Sequence, residues 1–102
     1  MKDTSEDILV CKGVIYYSLK EEDAFFEWVK SINCIDEISG ARDELYLHVC
    51  AYEIHDENIH DLLGLFYRYK IDMKQLKRFL TDNNKKWFCD KKKFWYKKVF
   101  GK

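Results

Sequence analysis

The amino-acid sequence predicts an α+β fold in which three to four helices pack on a small sheet of three to four strands. One stretch alternates apolar and polar residues with the period of a strand, and a second is rich in β-branched and aromatic residues. Three other stretches repeat apolar residues at helical spacing. The chain has 102 residues, of which 47% are hydrophobic, and it contains no proline, so we predict a single domain over residues 1–102.

The first predicted elements are a strand over 8–17, with Gly13 as a bulge or a point of close approach, and a helix over 19–33. Ser18 and Glu21 have the spacing of a capping box at the start of this helix. Apolar residues then follow at i, i+3, i+4 and i+7, which gives the helix one face to bury.

Further along the chain, a short strand over 34–38 is followed by a turn predicted at Ser39 and Gly40. Residues 44–54 alternate strictly, which predicts a strand with one face on the core.

Two more helices are predicted in the middle of the chain. Asp56 is a suitable N-cap for a helix over 57–69. Asp72 caps a further helix, which ends at Asn83 and Asn84.

The last eighteen residues allow two structures. A short helix capped by Asp90 would face Trp95 and Val99 inward, whereas a strand would alternate the aromatic residues between two faces. We favour the helix.

The sequence contains no recognisable catalytic or metal-binding motif. Its four glycines are too far apart to form a phosphate-binding loop. His48 and Cys50 share one face of the predicted strand, but two ligands do not make a zinc site, and neighbours on a strand are not oriented for proton transfer. We therefore expect no enzymatic activity, no cofactor and no bound metal.

The sequence also indicates a cellular compartment. The polar, acidic N-terminus lacks the pattern of a signal peptide, and the uncharged runs are far shorter than the ~20 residues of a membrane helix. The four cysteines are scattered, with no C-x-x-C pair. We expect reduced thiols, a cytoplasmic location and no association with membranes.

Charge divides the chain into an acidic half, residues 1–63, and a basic half, residues 64–102. The acidic half holds 15 Asp and Glu against 5 Lys and Arg, and the basic half holds 3 against 13. The two halves could pack together and neutralise each other, or they could present two oppositely charged surfaces. An acidic surface would attract a basic partner.

The basic tail, residues 85–102, favours nucleic acid as an alternative partner. It holds eight lysines and six aromatic residues, which are suited to phosphates and bases. It contains no arginine, however, and the aromatic residues are equally suited to docking a terminal segment on a core. We consider nucleic-acid binding less favoured than a docked segment.

Residues 61–76, the pair Trp87-Phe88 and residues 94–101 are together similar to small immunity proteins of bacterial polymorphic-toxin and contact-dependent growth inhibition systems. The resemblance implies a cytoplasmic, non-enzymatic protein that binds the C-terminal toxin domain of a delivered effector and blocks it. Such toxins are often nucleases, whose clefts are basic. The resemblance covers roughly residues 60–101 and assigns no contact residues.

Candidate contacts with a toxin come instead from charge and position. The acidic surface would consist of eight carboxylates, Asp36, Glu37, Asp43, Glu44, Glu53, Asp56, Glu57 and Asp61. Exposed aromatic side chains among Tyr16, Tyr46 and Tyr52 would act as anchors. The oligomeric state is left open by the sequence.

Overall fold

The computed structural model describes residues 6–50 and 54–101, and it confirms the α+β fold. Three strands form an antiparallel sheet in the order β1-β3-β2, with β1 at Glu6–Lys12, β2 at Ile35–Ala41 and β3 at Glu44–Cys50. The helices are α1 at Leu19–Ser31, α2 at Asp56–Arg68, a 3₁₀ helix at Met73–Phe79, α3 at Lys85–Phe88 and α4 at Tyr96–Phe100.

The core lies between one face of the sheet and the helices. Leu9 and Cys11 from β1 and Leu47 and Val49 from β3 are fully buried, as the alternation predicted over 44–54 requires, and residues 51–53 of that predicted strand lie outside the described residues. Helices α1 and α2 pack closely, since a Cβ atom on Gly64 would lie 3.5 Å from the Trp28 ring.

Helix α1 begins where the sequence predicts and ends two residues earlier. The Glu21 backbone N–H donates to Ser18 Oγ at 3.1 Å, which satisfies one of the unpaired donors of the first turn. The Glu21 carboxylate accepts from the backbone N–H of Tyr17 at 2.6 Å, so this half of the capping box is displaced by one residue. The helix ends at Ser31, because Ile32 has extended backbone angles.

The strand predicted over 8–17 forms as β1 at Glu6–Lys12, so it begins two residues earlier and ends five residues earlier than predicted. Gly13 has a φ of 65°, a left-handed conformation that glycine adopts without strain, and its N–H donates to the Asp43 carbonyl at 2.9 Å. Gly13 therefore ends the strand and does not form the predicted bulge.

The predicted turn at Ser39 and Gly40 is wrong, because both residues lie inside β2. Ala41 pairs with Glu44, so the two-residue loop between the strands is Arg42-Asp43, and Arg42 has a φ of 58°. The shift in register lies at the other end of β2, between Ile35 and Glu37.

Helix α2 begins one residue earlier than predicted, with His55 and not Asp56 at the N-cap. The backbone N–H of His55 donates to Asn58 Oδ1 at 2.9 Å, and this contact holds Asn58 in a buried position. The helix ends at Arg68 and is followed by Lys70, whose φ is 59°.

The next predicted helix forms as a 3₁₀ helix. Asp72 caps it as predicted, accepting from the backbone N–H of Lys74 at 3.0 Å. The helix ends before Asn84, and the prediction that Asn83 and Asn84 end it is wrong. The buried Asn84 side chain instead closes the following turn, donating to the Phe79 carbonyl at 2.9 Å and accepting from the Thr81 N–H at 2.8 Å.

The tail is helical, as favoured, and the alternative strand does not form. Trp95 and Val99 face inward, with 4% and 1% of their surfaces exposed. Asp90 accepts from the backbone N–H of Lys92 at 2.9 Å, so it stabilises a turn before α4 and does not cap it. Within the described ranges, no helix is long and apolar enough to cross a membrane.

Candidate functional site

The segment from the end of β1 to the first residue of α1 exposes three large apolar side chains, and we call residues 13–19 the apolar loop. Tyr17 is 86% exposed, Leu19 is 80% exposed and Ile15 is 63% exposed. Single apolar residues are common on protein surfaces, but three on one short segment are typical of a site of contact with another molecule.

The apolar loop has this conformation because its alternate side chains are held in the protein. Tyr16 is half-buried, and the centroid of its ring lies 5.5 Å from that of Phe25 and 6.4 Å from that of Tyr69. Burial, with a smaller effect from Glu22, raises the pKa of the Tyr16 phenol to about 12. As a candidate anchor Tyr16 is thus largely occupied by internal contacts, and its neighbour Tyr17 points outward.

Both ends of the apolar loop are fixed. At its start, Gly13 donates to the Asp43 carbonyl, which attaches the loop to the tip of the β2–β3 hairpin. At its end, the Ser18 cap and the bond from the Tyr17 N–H to Glu21 fix it to α1. A partner that binds here would meet a segment that is already ordered, which reduces the entropic cost of association.

Carboxylates lie beside the apolar loop. A cleft of about 230 Å³ separates the loop from the hairpin tip, and Tyr16, Glu22, Arg42 and Asp43 are among its lining residues. Glu22 and Asp43 are exposed. An apolar centre with a charged, solvent-accessible rim is the usual composition of a protein–protein interface.

The structure does not gather the predicted carboxylates into one patch. Asp36 and Glu37 lie at the start of β2, Asp43 and Glu44 lie at the hairpin tip, and the remaining described members, Asp56, Glu57 and Asp61, lie on the first turns of α2. The two hairpin pairs are roughly 15 Å apart, because a strand advances about 3.3 Å per residue. Glu53 and Tyr52 lie outside the described residues.

Two of these carboxylates already have contacts within the protein. Glu44 accepts from the Tyr46 hydroxyl at 2.5 Å and lies 3.9 Å from Lys12 Nζ. The bond to Glu44 is the main reason that the pKa of the Tyr46 phenol is raised. Asp56 accepts from the indole N–H of Trp87 at 3.2 Å. A partner would have to compete with these contacts.

The outer face of the sheet carries the His48 and Cys50 pair that the sequence placed together. His48 Nε2 lies 3.0 Å from Ser39 Oγ across the β2–β3 pairing. Cys11 and Cys34 are both buried, and burial raises the pKa of the Cys11 thiol to about 12, so that thiol remains neutral and a poor nucleophile. Among residues 6–50 and 54–101, no group of three or more His, Cys, Asp or Glu side chains is placed to hold a metal ion.

In the basic half, the aromatic side chains pack inward while the lysines are exposed. The Trp95 indole N–H donates to the Phe88 carbonyl at 2.8 Å, and the Trp87 ring stacks on His60 with centroids 4.2 Å apart. These rings are occupied within the protein and are not free to stack on bases. Phe94 is an exception, with 54% of its surface exposed.

The two oppositely charged halves neutralise each other little by direct contact. In the part of the chain that the structure describes, one ion pair joins them, between Asp7 and Arg78 at 3.7 Å. The second described pair, Lys12 with Glu44, lies within the acidic half. Most charged side chains of both halves in the described ranges are exposed to solvent.

Ile15, Tyr17 and Leu19 are not among the predicted contact residues, because Ile15 and Tyr17 lie in the strand predicted over 8–17 and Leu19 lies at the start of the helix predicted over 19–33. Gly13 and the Ser18 cap were the available signals: together they leave an apolar segment between two elements. In comparisons with known proteins, the chain matches no family model, no curated protein and no solved structure.

Proposed function

We propose that this chain is a non-enzymatic immunity protein that acts in the cytoplasm, where it binds and neutralises a cognate bacterial toxin domain. The observation that carries the proposal is the apolar loop, with Ile15, Tyr17 and Leu19 exposed on a segment fixed at both ends. Tyrosine is among the residues that dominate binding free energy when a partner covers them.

Charge supports a basic partner. The acidic half has a net charge of −10, and the exposed Glu22 and Asp43 lie next to the apolar loop. Potentials of opposite sign accelerate encounter and exclude partners of the same sign. A nuclease domain with a phosphate-binding cleft has the required positive potential. Together with the resemblance of residues 60–101 to immunity proteins, this favours a toxin nuclease as the partner.

The alternative function, nucleic-acid binding by the basic tail, has weaker support. Its lysines are exposed, for example Lys91, Lys92 and Lys93, but its large aromatic residues are mostly packed against one another. Binding of single strands usually requires exposed rings for base stacking. A gel-shift titration at low salt, repeated with these three lysines changed to glutamate, tests this alternative directly.

The main test captures the partner through the apolar loop. A photo-crosslinking amino acid replaces Tyr17 in one sample and the exposed Lys86 in a control, and both proteins are irradiated in lysate of the source bacterium. We expect the Tyr17 sample alone to capture the C-terminal domain of a large exported protein, identified by mass spectrometry. The captured domain is then expressed alone and together with this chain.

Growth should be arrested by the captured domain alone and restored by the wild-type chain. Tyr17→Asp and Leu19→Asp should abolish this protection while thermal unfolding stays unchanged, because neither side chain is buried. Lys86→Glu is the matched control and should protect fully. Continued toxicity in the presence of the wild-type chain would refute the proposal.

A further inference from the structure

The two edges of the sheet differ in their hydrogen bonding. The edge formed by β1 is closed by a side chain that bonds to its backbone. The Val10 backbone N–H donates to Gln75 Oε1 at 2.8 Å, and Gln75 Nε2 donates to the Val10 carbonyl at 2.8 Å. Arg78 Nη1 also donates to the Ile8 carbonyl at 3.4 Å. Side chains of the 3₁₀ helix thus occupy the place of a further strand.

The edge formed by β2 is open in the described part of the chain. Ala41 and Glu44 flank a two-residue loop, so they form a hydrogen-bonded pair, and such pairs alternate along an antiparallel ladder. The backbone groups of Ile38 and Gly40 therefore point away from β3. No residue within 6–50 or 54–101 forms a hydrogen bond with them beyond the sheet. Unpaired edges of this kind favour pairing with another strand.

The sequence of β2 is complementary to itself in one antiparallel register. When two copies pair about a two-fold axis at Ser39, Ile38 of each copy lies opposite Gly40 of the other, and their outward-facing backbone groups form four hydrogen bonds. The same register brings Asp36, where the pairing of β2 with β3 shifts, to the level of Arg42, the first loop residue after β2 of the other copy. Shifting the strands by two residues in either direction keeps backbone bonding but removes this pairing of opposite charges.

The side chains at this edge are accessible for such pairing. Asp36 and Arg42 are both exposed, and Ser39 and Gly40 are small enough for close approach of a second backbone. A cleft of about 400 Å³ lies where Arg42 of the second copy would reach Asp36. It is lined by Lys30, Ile35, Asp36, Glu37 and Ile38. The arginine would enter beside two carboxylates and one ammonium group.

We propose that a second copy of this chain pairs with β2 in this register and forms a continuous sheet of six strands, three from each copy. The dimer is formed through β2 and not through the apolar loop, so its test is separate from that of the proposed function, although Asp36 is also a candidate toxin contact and Arg42 lines the cleft beside the loop. It also explains why one edge is closed by Gln75 and Arg78 while the other is not.

Sedimentation equilibrium of the full chain from micromolar to millimolar concentration tests the dimer. Asp36→Arg and Arg42→Asp, made separately, each place like charges opposite one another, and we expect each to weaken dimerisation on the order of 10-fold or more. The double variant Asp36→Arg/Arg42→Asp restores opposite charges and should restore dimerisation. Aspartate at position 42 is compatible with the positive φ there.

Asp43→Arg is the matched control, because it changes an exposed neighbouring charge that lies opposite Ile35 and not opposite a charge. It should leave the dissociation constant within about two-fold of the wild type. Amide hydrogen exchange of Ile38 and Gly40 should slow as concentration rises, while exchange in the apolar loop stays constant.

A chain that sediments as a monomer at every concentration would overturn the proposal. So would a dimer that neither single charge reversal weakens, or one whose Ile38 and Gly40 amides gain no protection. None of these results would bear on protection from a toxin, which is measured through Tyr17 and Leu19.

Discussion

The basic tail, residues 85–102, and the apolar loop of the acidic half use their large side chains in opposite ways. In the basic half, Trp87, Phe88 and Trp95 contact one another and leave lysines on the surface. In the acidic half, Tyr17 and Leu19 are exposed although they lie just before and at the start of α1. The difference indicates that the aromatic residues of the basic half stabilise the fold, whereas the apolar loop is free to contact a partner.

Substitution of Trp95 should cause the largest loss of stability and so test the comparison most clearly. Trp95→Ala removes a buried ring and leaves the Phe88 carbonyl without its donor, so we expect a loss of about 3–5 kcal/mol in the free energy of unfolding. Urea denaturation measures this loss. Phe94→Ala, at an exposed neighbouring ring, is the control and should cost less than about 1.5 kcal/mol. Equal losses for the two variants would contradict this division.

The stability of the protein should fall at high pH because of Cys11, a buried thiol in the core of the acidic half. Burial raises the pKa of this thiol from an ordinary value of 9.0 to about 12 in the folded protein. The folded state therefore binds the thiol proton more tightly than the unfolded state does. The stability that this difference contributes is fully present below pH 9 and is lost as the pH rises toward 12. The free energy of unfolding should fall by about 2 kcal/mol by about pH 10.5 through this group.

Cys11→Ala isolates that effect, because it removes the thiol and keeps every other titrating group. Its stability at neutral pH is lower, but its decline above pH 9 should be shallower than that of the wild type. Tyr16, whose pKa is also raised to about 12, contributes to the decline in both proteins. Parallel declines would show that the Cys11 thiol ionises similarly in the folded and unfolded states.

Gln75 connects the two halves, and its removal should have an intermediate effect. Gln75→Ala leaves both backbone groups of Val10 without their side-chain partner, at a cost of about 1–2 kcal/mol in unfolding free energy. Water can replace part of each bond at this half-exposed edge. Lys74→Ala, on the same 3₁₀ helix and exposed, should change stability by less than about 0.5 kcal/mol when both are measured by thermal unfolding.

The smallest expected effect is in the apolar loop. Tyr17→Ala should change the free energy of unfolding by less than about 0.5 kcal/mol, because the side chain is 86% exposed and its structural contact is made by the backbone N–H. Chemical denaturation of this variant beside Trp95→Ala tests the comparison. A loss of several kcal/mol would place Tyr17 among the residues that hold the fold together.

Local patterns in the sequence predicted much of this fold. The Ser18 cap and the apolar spacing after it located α1, and alternation placed Leu47 and Val49 in the core. The helical tail with Trp95 inward was the favoured of two structures that the spacing allowed. These features depend on residues that are close in the chain, so the sequence alone could predict them.

Features set by distant contacts were not predicted. Ser39 and Gly40 favour a turn locally, yet pairing with Tyr46 and Leu45 keeps them in a strand. The 3₁₀ form of the helix at Met73–Phe79 was not predicted, and it includes distant contacts: the Gln75 side-chain amide donates to the Val10 carbonyl and also to the Asp72 carbonyl. The distribution of the predicted carboxylates depends on strand register, which no local pattern specifies.

The contact between Val10 and Gln75 has a consequence for synthesis of the chain. The two residues are 65 positions apart. At ~5–20 residues per second, a ribosome adds Gln75 roughly 3–13 s after Val10. For much of that interval neither β3 nor Gln75 has been synthesised, so β1 lacks both of its neighbours. The nascent N-terminal strand is therefore the part of this protein that a chaperone would have most opportunity to bind.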